Sequence, residues 1–361
     1  MSRYVTLKKS DADFLKYMWG TFSGTERALP IESLNPGTAQ ESITFEIKNL
    51  KEIKRPSDLF IFSCLIKWNY FFLLFIPLFY VGVKNYVFQR IFDPTSFGLA
   101  AAASLFLFAG LNIRNDVIDH VSGFDRIIKT AGKKPLLLGW TTADSANHIS
   151  WILCVIAIAL AVPVCIRQHE AVRVVGITLG LFLAGNFLNK NNYKFNHFSE
   201  FVLFLILGPA LCSGYQVAMG SGVDTEILIF GTVWGVAVLF LLYIVQFSNL
   251  FETSQAGIKN TLTQMGFDRS KIFLMSWWSF FILLWTVYHF LYASQFWLWF
   301  GTAILIFWSL PTFIQITSTH SPIGSDLIQV RKAGNRAFAL MNGILVFELI
   351  WYIYTQIQGP L

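Results

Sequence analysis

The sequence predicts an all-α fold: a polytopic membrane protein of about nine transmembrane helices bundled around a central cavity. Three observations predict the membrane class. Charged residues make up 13% of the 361 positions and hydrophobic ones 55%, against about 25% charged in ordinary soluble domains. Several runs of about 18 or more residues carry almost no charge, the length a helix needs to cross the hydrocarbon core. Basic residues gather in alternate connections between those runs, as the positive-inside rule requires.

Residues 1–58 are the polar exception and are expected as a cytosolic N-terminal segment. Its "SLNPGTAQES" reads as disordered. The charged "EIKNLKEIKRPSD" reads as an amphipathic surface helix feeding the first span. No apolar h-region of a cleavable signal opens the chain.

Residues 59–361 form the transmembrane domain. Spans are expected near Leu59–Val83, Ser96–Arg114, His148–Cys165, Ala171–Leu188, Phe198–Met219, Glu226–Ser248, Ile272–Tyr292, Phe296–Thr317 and Arg336–Tyr354. The connections after spans 2, 4, 6 and 8 hold Arg126, Lys129, Lys133, Lys134, Lys190, Lys194, Lys259, Arg269, Lys271, Arg331 and Lys332. The other side holds only Lys84, Arg90, Arg167 and Arg173, so the even connections and the N-terminus are placed in the cytosol. Cys64, Cys154, Cys165 and Cys212 lie in or beside apolar runs without CxxC spacing and read as small core residues. The net charge of +6 suits anionic headgroups or an anionic substrate. It does not suit nucleic acid, because the cations are spread over loops.

Chemistry concentrates in "NDVIDHVSGFD", directly after the second apolar run. Asp116 and Asp119 are three apart, so on a continuing helix both carboxylates share a face; Asn112 and Asn115 each lie one turn earlier. Asp125 follows a turn at Gly123. Close carboxylates repel, and a divalent cation relieves them. Oxygen-only ligands suit Mg2+, which usually shares its shell with water and phosphate. Arg126, Lys129, Lys133 and Lys134 come next, where the outer oxygens of a Mg2+-bound diphosphate need cations. A lone aspartate here reads better as a helix cap or solvated loop residue, but the spacing and flanking asparagines favour the functional reading; for each lysine positive-inside topology is an equal explanation.

"NDVIDHVSGFD…KT…KKPLLLG" resembles the first aspartate-rich motif of the UbiA superfamily of intramembrane prenyltransferases, and its spacing to Asp125 resembles the menaquinone-type branch. Glu200, Gly208, Pro209 and Gly214 in "HFSEFVLFLILGPALCSGYQVAMG" resemble that branch's fifth helix. The resemblance implies a nine-helix bundle, an isoprenyl diphosphate substrate and Mg2+ bound at two motifs. The second motif is thinned. In "QFSNLFETSQAGIKNTLTQMG" the tail "GIKNTL" fits, but Asn249 and Glu252 stand where the family has aspartates, three apart on one expected helical face. Both can still ligate Mg2+ through oxygen, the favoured reading; the alternative is a polar cap at Asn249 and a solvated loop residue at Glu252.

The resemblance thus implies catalytic roles for Asp116, Asp119, Asn249 and Glu252, and metal ligation by these together with Asp125. The diphosphate would be held by Asn112, Asn115, Arg126, Lys129, Lys133, Lys134, Lys190, Lys194 and Lys259. Lys67, Asn69 and Tyr193 would line the cavity, although Lys67 can instead snorkel to an interface. Glu348 is either cavity lining or a helix–helix hydrogen bond. Aromatic residues make up 17% of the chain. They serve as interface belts, or stabilise a carbocation where a ring faces inward.

Two fates of an ionised isoprenyl chain then divide the expected activity. Attack by its own double bonds makes a terpene cyclase, with farnesyl diphosphate as the expected substrate. Capture by an aromatic or quinone-precursor acceptor makes a prenyltransferase. The thinned second motif favours the first, because cyclisation activates no acceptor. A non-catalytic lipid-binding protein is the third class; a transporter is disfavoured because the motif sits at one end of the bundle rather than at its midplane. The expected partners are the isoprenyl diphosphate and membrane lipid, with no nucleic acid. The endoplasmic reticulum membrane is the expected location, with a bacterial inner membrane also compatible.

Overall fold

A computed structural model of the chain describes all residues except 1–2, 36–37, 128–133, 188–196, 256, 293–295, 325 and 359–361. The chain divides into two compact units. One comprises Met1–Phe71, Ala102–Ala159 and Glu252–Gly257, the other Phe72–Ala101, Leu160–Phe251 and Ile258–Leu361.

The first unit begins with a small sheet. Strands β1 (Arg3–Lys8), β2 (Glu26–Leu34) and β3 (Ser42–Asn49) pair antiparallel in the order β1-β3-β2, with helix α1 (Phe14–Trp19) after the first strand. Ile43, Phe45 and Ile47 alternate inward on β3 and bury against Phe14 and Met18. This corrects the expected disorder and amphipathic helix. Ser33 and Leu34 end β2, Glu41 is fully buried, and "EIKN" completes a strand before a single 3-10 turn at Leu50–Glu52. The period-two pattern of "SITFEIKN" decides the structure because its apolar face finds a helix to cover it.

The helices that follow are α2 (Asp58–Ile66), α3 (Phe72–Lys84), α4 (Pro94–Ser122), α5 (Phe124–Ile127), α6 (Ala143–Arg167), α7 (His169–Phe187), α8 (His197–Leu205), α9 (Leu211–Ala218), α10 (Thr225–Ser248), α11 (Leu250–Gln255), α12 (Thr261–Met265), α13 (Phe267–Tyr292), α14 (Phe296–Ser318) and α15 (Asp326–Gln358). Seven segments among the described residues are long and apolar enough to cross a membrane, or eight with α2 and α3 taken as one broken span. The fourth expected span is the 19-residue α7. This is a polytopic α-helical membrane protein. The first expected span is interrupted at Lys67. The second runs past Arg114 to Ser122, and the ninth starts at Asp326 rather than Arg336.

In the first unit, α4 and α6 approach closely. The Ser150 hydroxyl donates to the Gly110 carbonyl at 2.8 Å, and a Cβ at position 110 would lie 2.9 Å from Cys154 Sγ. In the second unit α10 forms the core, with Phe230, Trp234, Phe240 and Phe247 almost wholly buried. Gly208 lies in a π-helical turn between α8 and α9, with non-helical φ −102° and ψ −105°. A Cβ there would meet the Gly231 carbonyl at 2.6 Å and Gly235 Cα at 2.9 Å, so bare backbone is what lets these helices touch.

Candidate active site

The site is built at the end of α4. Ile113 and Val117 are buried, which fixes the helix rotation and leaves Asp116 and Asp119 on neighbouring positions of the following turn. Opposite them α2 stops. Lys67 takes a left-handed conformation (φ 54°, ψ 55°), which costs a non-glycine residue about 1–2 kcal/mol. The carbonyl of Ile66 loses its helical donor there, and Asn112 Nδ2 replaces it at 3.0 Å. The same break swings the Lys67 ammonium to 2.6 Å from Asp116 Oδ1. An unpaired helix-break carbonyl or ammonium would be costly in an apolar setting, and α4 answers both. Asn112 therefore braces the break through its Nδ2. Asn115 is half-buried, and Asn69 is exposed on the 3-10 turn after Lys67.

Asp119 is buried. Past Ser122 the chain turns through Gly123 (φ 92°) into α5, which buries Asp125. Burial raises the Asp125 carboxyl to about 6 against the opposing pull of Lys134, with Asp119 and Asp116 adding repulsion. Lys134 forms an ion pair with Asp125. Arg126 is turned away from this group. Its Nη2 and Nε donate to Glu41 Oε1 at 2.6 and 3.2 Å, and its Nη1 donates to the His120 carbonyl at 2.8 Å. Both partners of that ion pair are buried, so Arg126 ties the motif to the N-terminal sheet and is not available as a diphosphate ligand.

Among the described residues no three His, Cys, Asp or Glu side chains converge into a metal cage. Asp116, Asp119 and Asp125 thus do not close a cage by themselves, and Mg2+ does not require one. Mg2+ is commonly held by one or two carboxylates and completes its shell with water and phosphate oxygen. The donor chemistry fits: Asp116 and Asp125 each form an ion pair, with Lys67 and Lys134, and the charge of the buried Asp119 acts on Asp125.

The second motif departs further from expectation. Asn249 is not on a helical face shared with Glu252. It caps the end of α10 with φ −117° and ψ 22°, and α11 starts afresh at Leu250. Glu252 is half-buried and Lys259 exposed. The "GIKNTL" tail is firmly held. Asn260 and Thr263 form a capping box at the start of α12. The buried Glu200 on α8 accepts from the Thr261 hydroxyl and backbone N–H, from Tyr243 Oη at 3.3 Å and from Gln246 Nε2 at 3.2 Å. Lys129, Lys133, Lys190, Lys194 and Tyr193 lie outside the described residues.

No family model matches the sequence, and no curated protein is found as a relative. Solved structures do match. The structure of digeranylgeranylglyceryl phosphate synthase has a TM-score of 0.57 over 82% of this chain and 99% of its own, at 16% identity. A UbiA homologue from Archaeoglobus fulgidus bound to DMAPP and Mg2+ gives 0.56 over 80% and 98%, at 16% identity. An apo UbiA homologue from Aeropyrum pernix K1 gives 0.59 over 78% and 97%, also at 16% identity. The chain has the UbiA fold.

Within this UbiA fold, the carboxylates of the Asp116–Asp125 segment are legible in the sequence and their supports are not. Glu41 lies far off in sequence, in a stretch that reads as disordered, and nothing local pairs it with Arg126. Tyr243 and Gln246 lie inside an apolar span; for Thr261 the N-x-x-T capping pattern after "GIK" is a local signal. Glu348 is settled as a helix–helix partner: it is buried, accepts from Tyr80 Oη at 3.2 Å and stands 3.4 Å from His289 Nε2.

Proposed function

We propose that this protein is a Mg2+-dependent enzyme that ionises an isoprenyl diphosphate within the membrane, of farnesyl length, and cyclises the released allylic chain to a terpene hydrocarbon. The observation that carries it is the pair of ion pairs, Lys67–Asp116 and Lys134–Asp125, with the buried Asp119 between them in sequence, at the end of a membrane helix of the UbiA fold. The Archaeoglobus homologue holds DMAPP and Mg2+, ligands of the same chemical class.

Asp116, Asp119 and Asp125 would offer oxygen to the metal, with Glu252 as the ligand from the second motif. Mg2+, when bound, neutralises the diphosphate and eases departure of the leaving group. Lys67 and Lys134 then pass from the carboxylates to the outer phosphate oxygens, so the same two ammonium groups serve both states. The apolar helices exclude water, which protects the allylic cation from hydrolysis. The basic connections orient the mouth of the site toward the cytosol, in the endoplasmic reticulum membrane.

Cyclisation is favoured by the second motif. Its aspartates are absent, Asn249 ends a helix, and the buried Glu200 is occupied by Thr261, Tyr243 and Gln246. None of these groups is left to activate an acceptor as a general base. Prenyl transfer is the second reading, supported by the likeness to digeranylgeranylglyceryl phosphate synthase.

The test is to give purified protein farnesyl diphosphate and Mg2+, with and without phenolic or quinone-precursor acceptors, and to analyse the organic extract by mass spectrometry. Cyclic hydrocarbon without acceptor is expected. Product only with acceptor would replace cyclisation by prenyl transfer, and no consumption in any arm would leave a non-catalytic lipid-binding protein.

A further inference from the structure

A second concentration of positive charge lies on the N-terminal sheet and is not used by the reaction above. Arg27 on β2 stands directly across from Lys48 on β3. Like charges in that position oppose strand pairing unless an anion lies near. Lys48 is answered by Glu46 at 2.9 Å. Arg27 has no acidic partner among the described residues. Its Nη1 donates to the Glu26 carbonyl at 3.1 Å, and its Nε is buried without a hydrogen bond. A buried guanidinium donor left unmade is costly. Burial, and then the positive charge of Arg55, lower the Arg27 pKa.

The surroundings have the shape of a site. A Cβ on Gly139 would lie 2.4 Å from Leu29 Cδ2 and 3.7 Å from Arg27 Cβ, which brings the Gly139–Trp140 turn against this strand. Trp140, Phe60, Pro56, Arg55 and Lys54 line an open pocket of about 410 Å3. The Trp140 and Phe60 rings meet edge-on at 6.1 Å. Lys54 makes no ion pair among the described residues. Arg55 has only Asp58, at 2.5 Å, with both side chains well exposed; such surface pairs bind weakly. Ser57 caps α2 immediately afterwards, so this corner lies where the chain enters the membrane.

We infer that Arg27, Lys54 and Arg55 form a phosphate-binding site at the membrane surface, with Phe60 and Trp140 as its apolar wall. Two guanidinium forks and an ammonium match the oxygens of a phosphate ester, and the buried Nε of Arg27 gains an acceptor. The aromatic pair suits the interfacial depth of a glycerol backbone. A phospholipid headgroup and free inorganic phosphate share this chemistry.

The experiment uses full-length protein in detergent and native mass spectrometry. Phosphatidic acid is compared with diacylglycerol of the same acyl chains, and inorganic phosphate is added alone and as competitor. The wild type should retain phosphatidic acid over diacylglycerol, and the K54Q/R55Q variant should bind it about tenfold more weakly. R27Q should do the same. If R27Q fails to fold, the exposed pair Lys54 and Arg55 carries the test by itself. Retention that inorganic phosphate cannot displace assigns the site to a lipid headgroup, and displacement assigns it to phosphate of either source. Equal phosphatidic acid binding by wild type and K54Q/R55Q overturns the site. None of these readouts depends on isoprenyl diphosphate turnover.

Discussion

The Lys67 ammonium lies 2.6 Å from Asp116 Oδ1, and it does so because the first membrane helix breaks at Lys67 itself. The break is braced by Asn112, one turn before Asp116 on the opposing helix. Backbone conformation, brace and ion pair form one unit. Lys67→Met should raise the KM for farnesyl diphosphate about tenfold to a hundredfold, the loss of one charge-assisted hydrogen bond. Steady-state kinetics at saturating Mg2+ measures it. An unchanged KM would mean that Lys67 balances Asp116 only in the absence of substrate.

Asp116→Ala and Asp119→Ala should each abolish turnover while the protein keeps its size-exclusion profile. The carboxylates would be the oxygen donors for the metal; because Asp116→Ala also leaves the Lys67 ammonium without its partner, its unfolding midpoint in detergent is measured alongside turnover. Near-normal activity in either variant would remove the metal assignment. Isothermal titration with Mg2+ and a non-hydrolysable diphosphate analogue gives the same answer without turnover.

Asn112→Ala separates bracing from ligation. It leaves the Ile66 carbonyl without its donor at the helix break, a loss of about 1–3 kcal/mol. The thermal unfolding midpoint in detergent should fall. A variant with normal stability and impaired diphosphate binding would restore Asn112 to the substrate-contacting role.

Glu41→Gln should destabilise the protein by about 3–5 kcal/mol, because Arg126 then stays buried beside a neutral amide. The double variant Glu41→Leu/Arg126→Met should recover much of that loss, since a buried ion pair is often replaceable by apolar packing. Denaturation of the single and double variants decides between a buried ion pair and a catalytic role for Arg126.

Gly208→Ala should cost about 1–3 kcal/mol, since its methyl would stand 2.6 Å from the Gly231 carbonyl. Gly343→Ala, where a Cβ meets nothing within 4 Å, is the matched control and should be near neutral. Thermal unfolding of the two variants side by side tests whether the helix contact depends on missing side chains.

The sequence by itself determined the membrane class, the approximate places of the spans and the segment that carries the carboxylates. Those properties are local: apolar length, loop charge and three-residue spacing are visible without knowing what packs against what. It did not determine that Arg126 belongs to Glu41, that Asn112 serves a backbone carbonyl, or that Asn249 ends a helix. Nor did it disclose the N-terminal sheet, whose alternation in "SITFEIKN" acquires meaning only when Phe14 and Met18 cover it. Each of these was decided by tertiary structure. A cation or amide beside an acidic motif has several carboxylates and carbonyls within reach of its side chain, and only the packed chain shows which one burial leaves it.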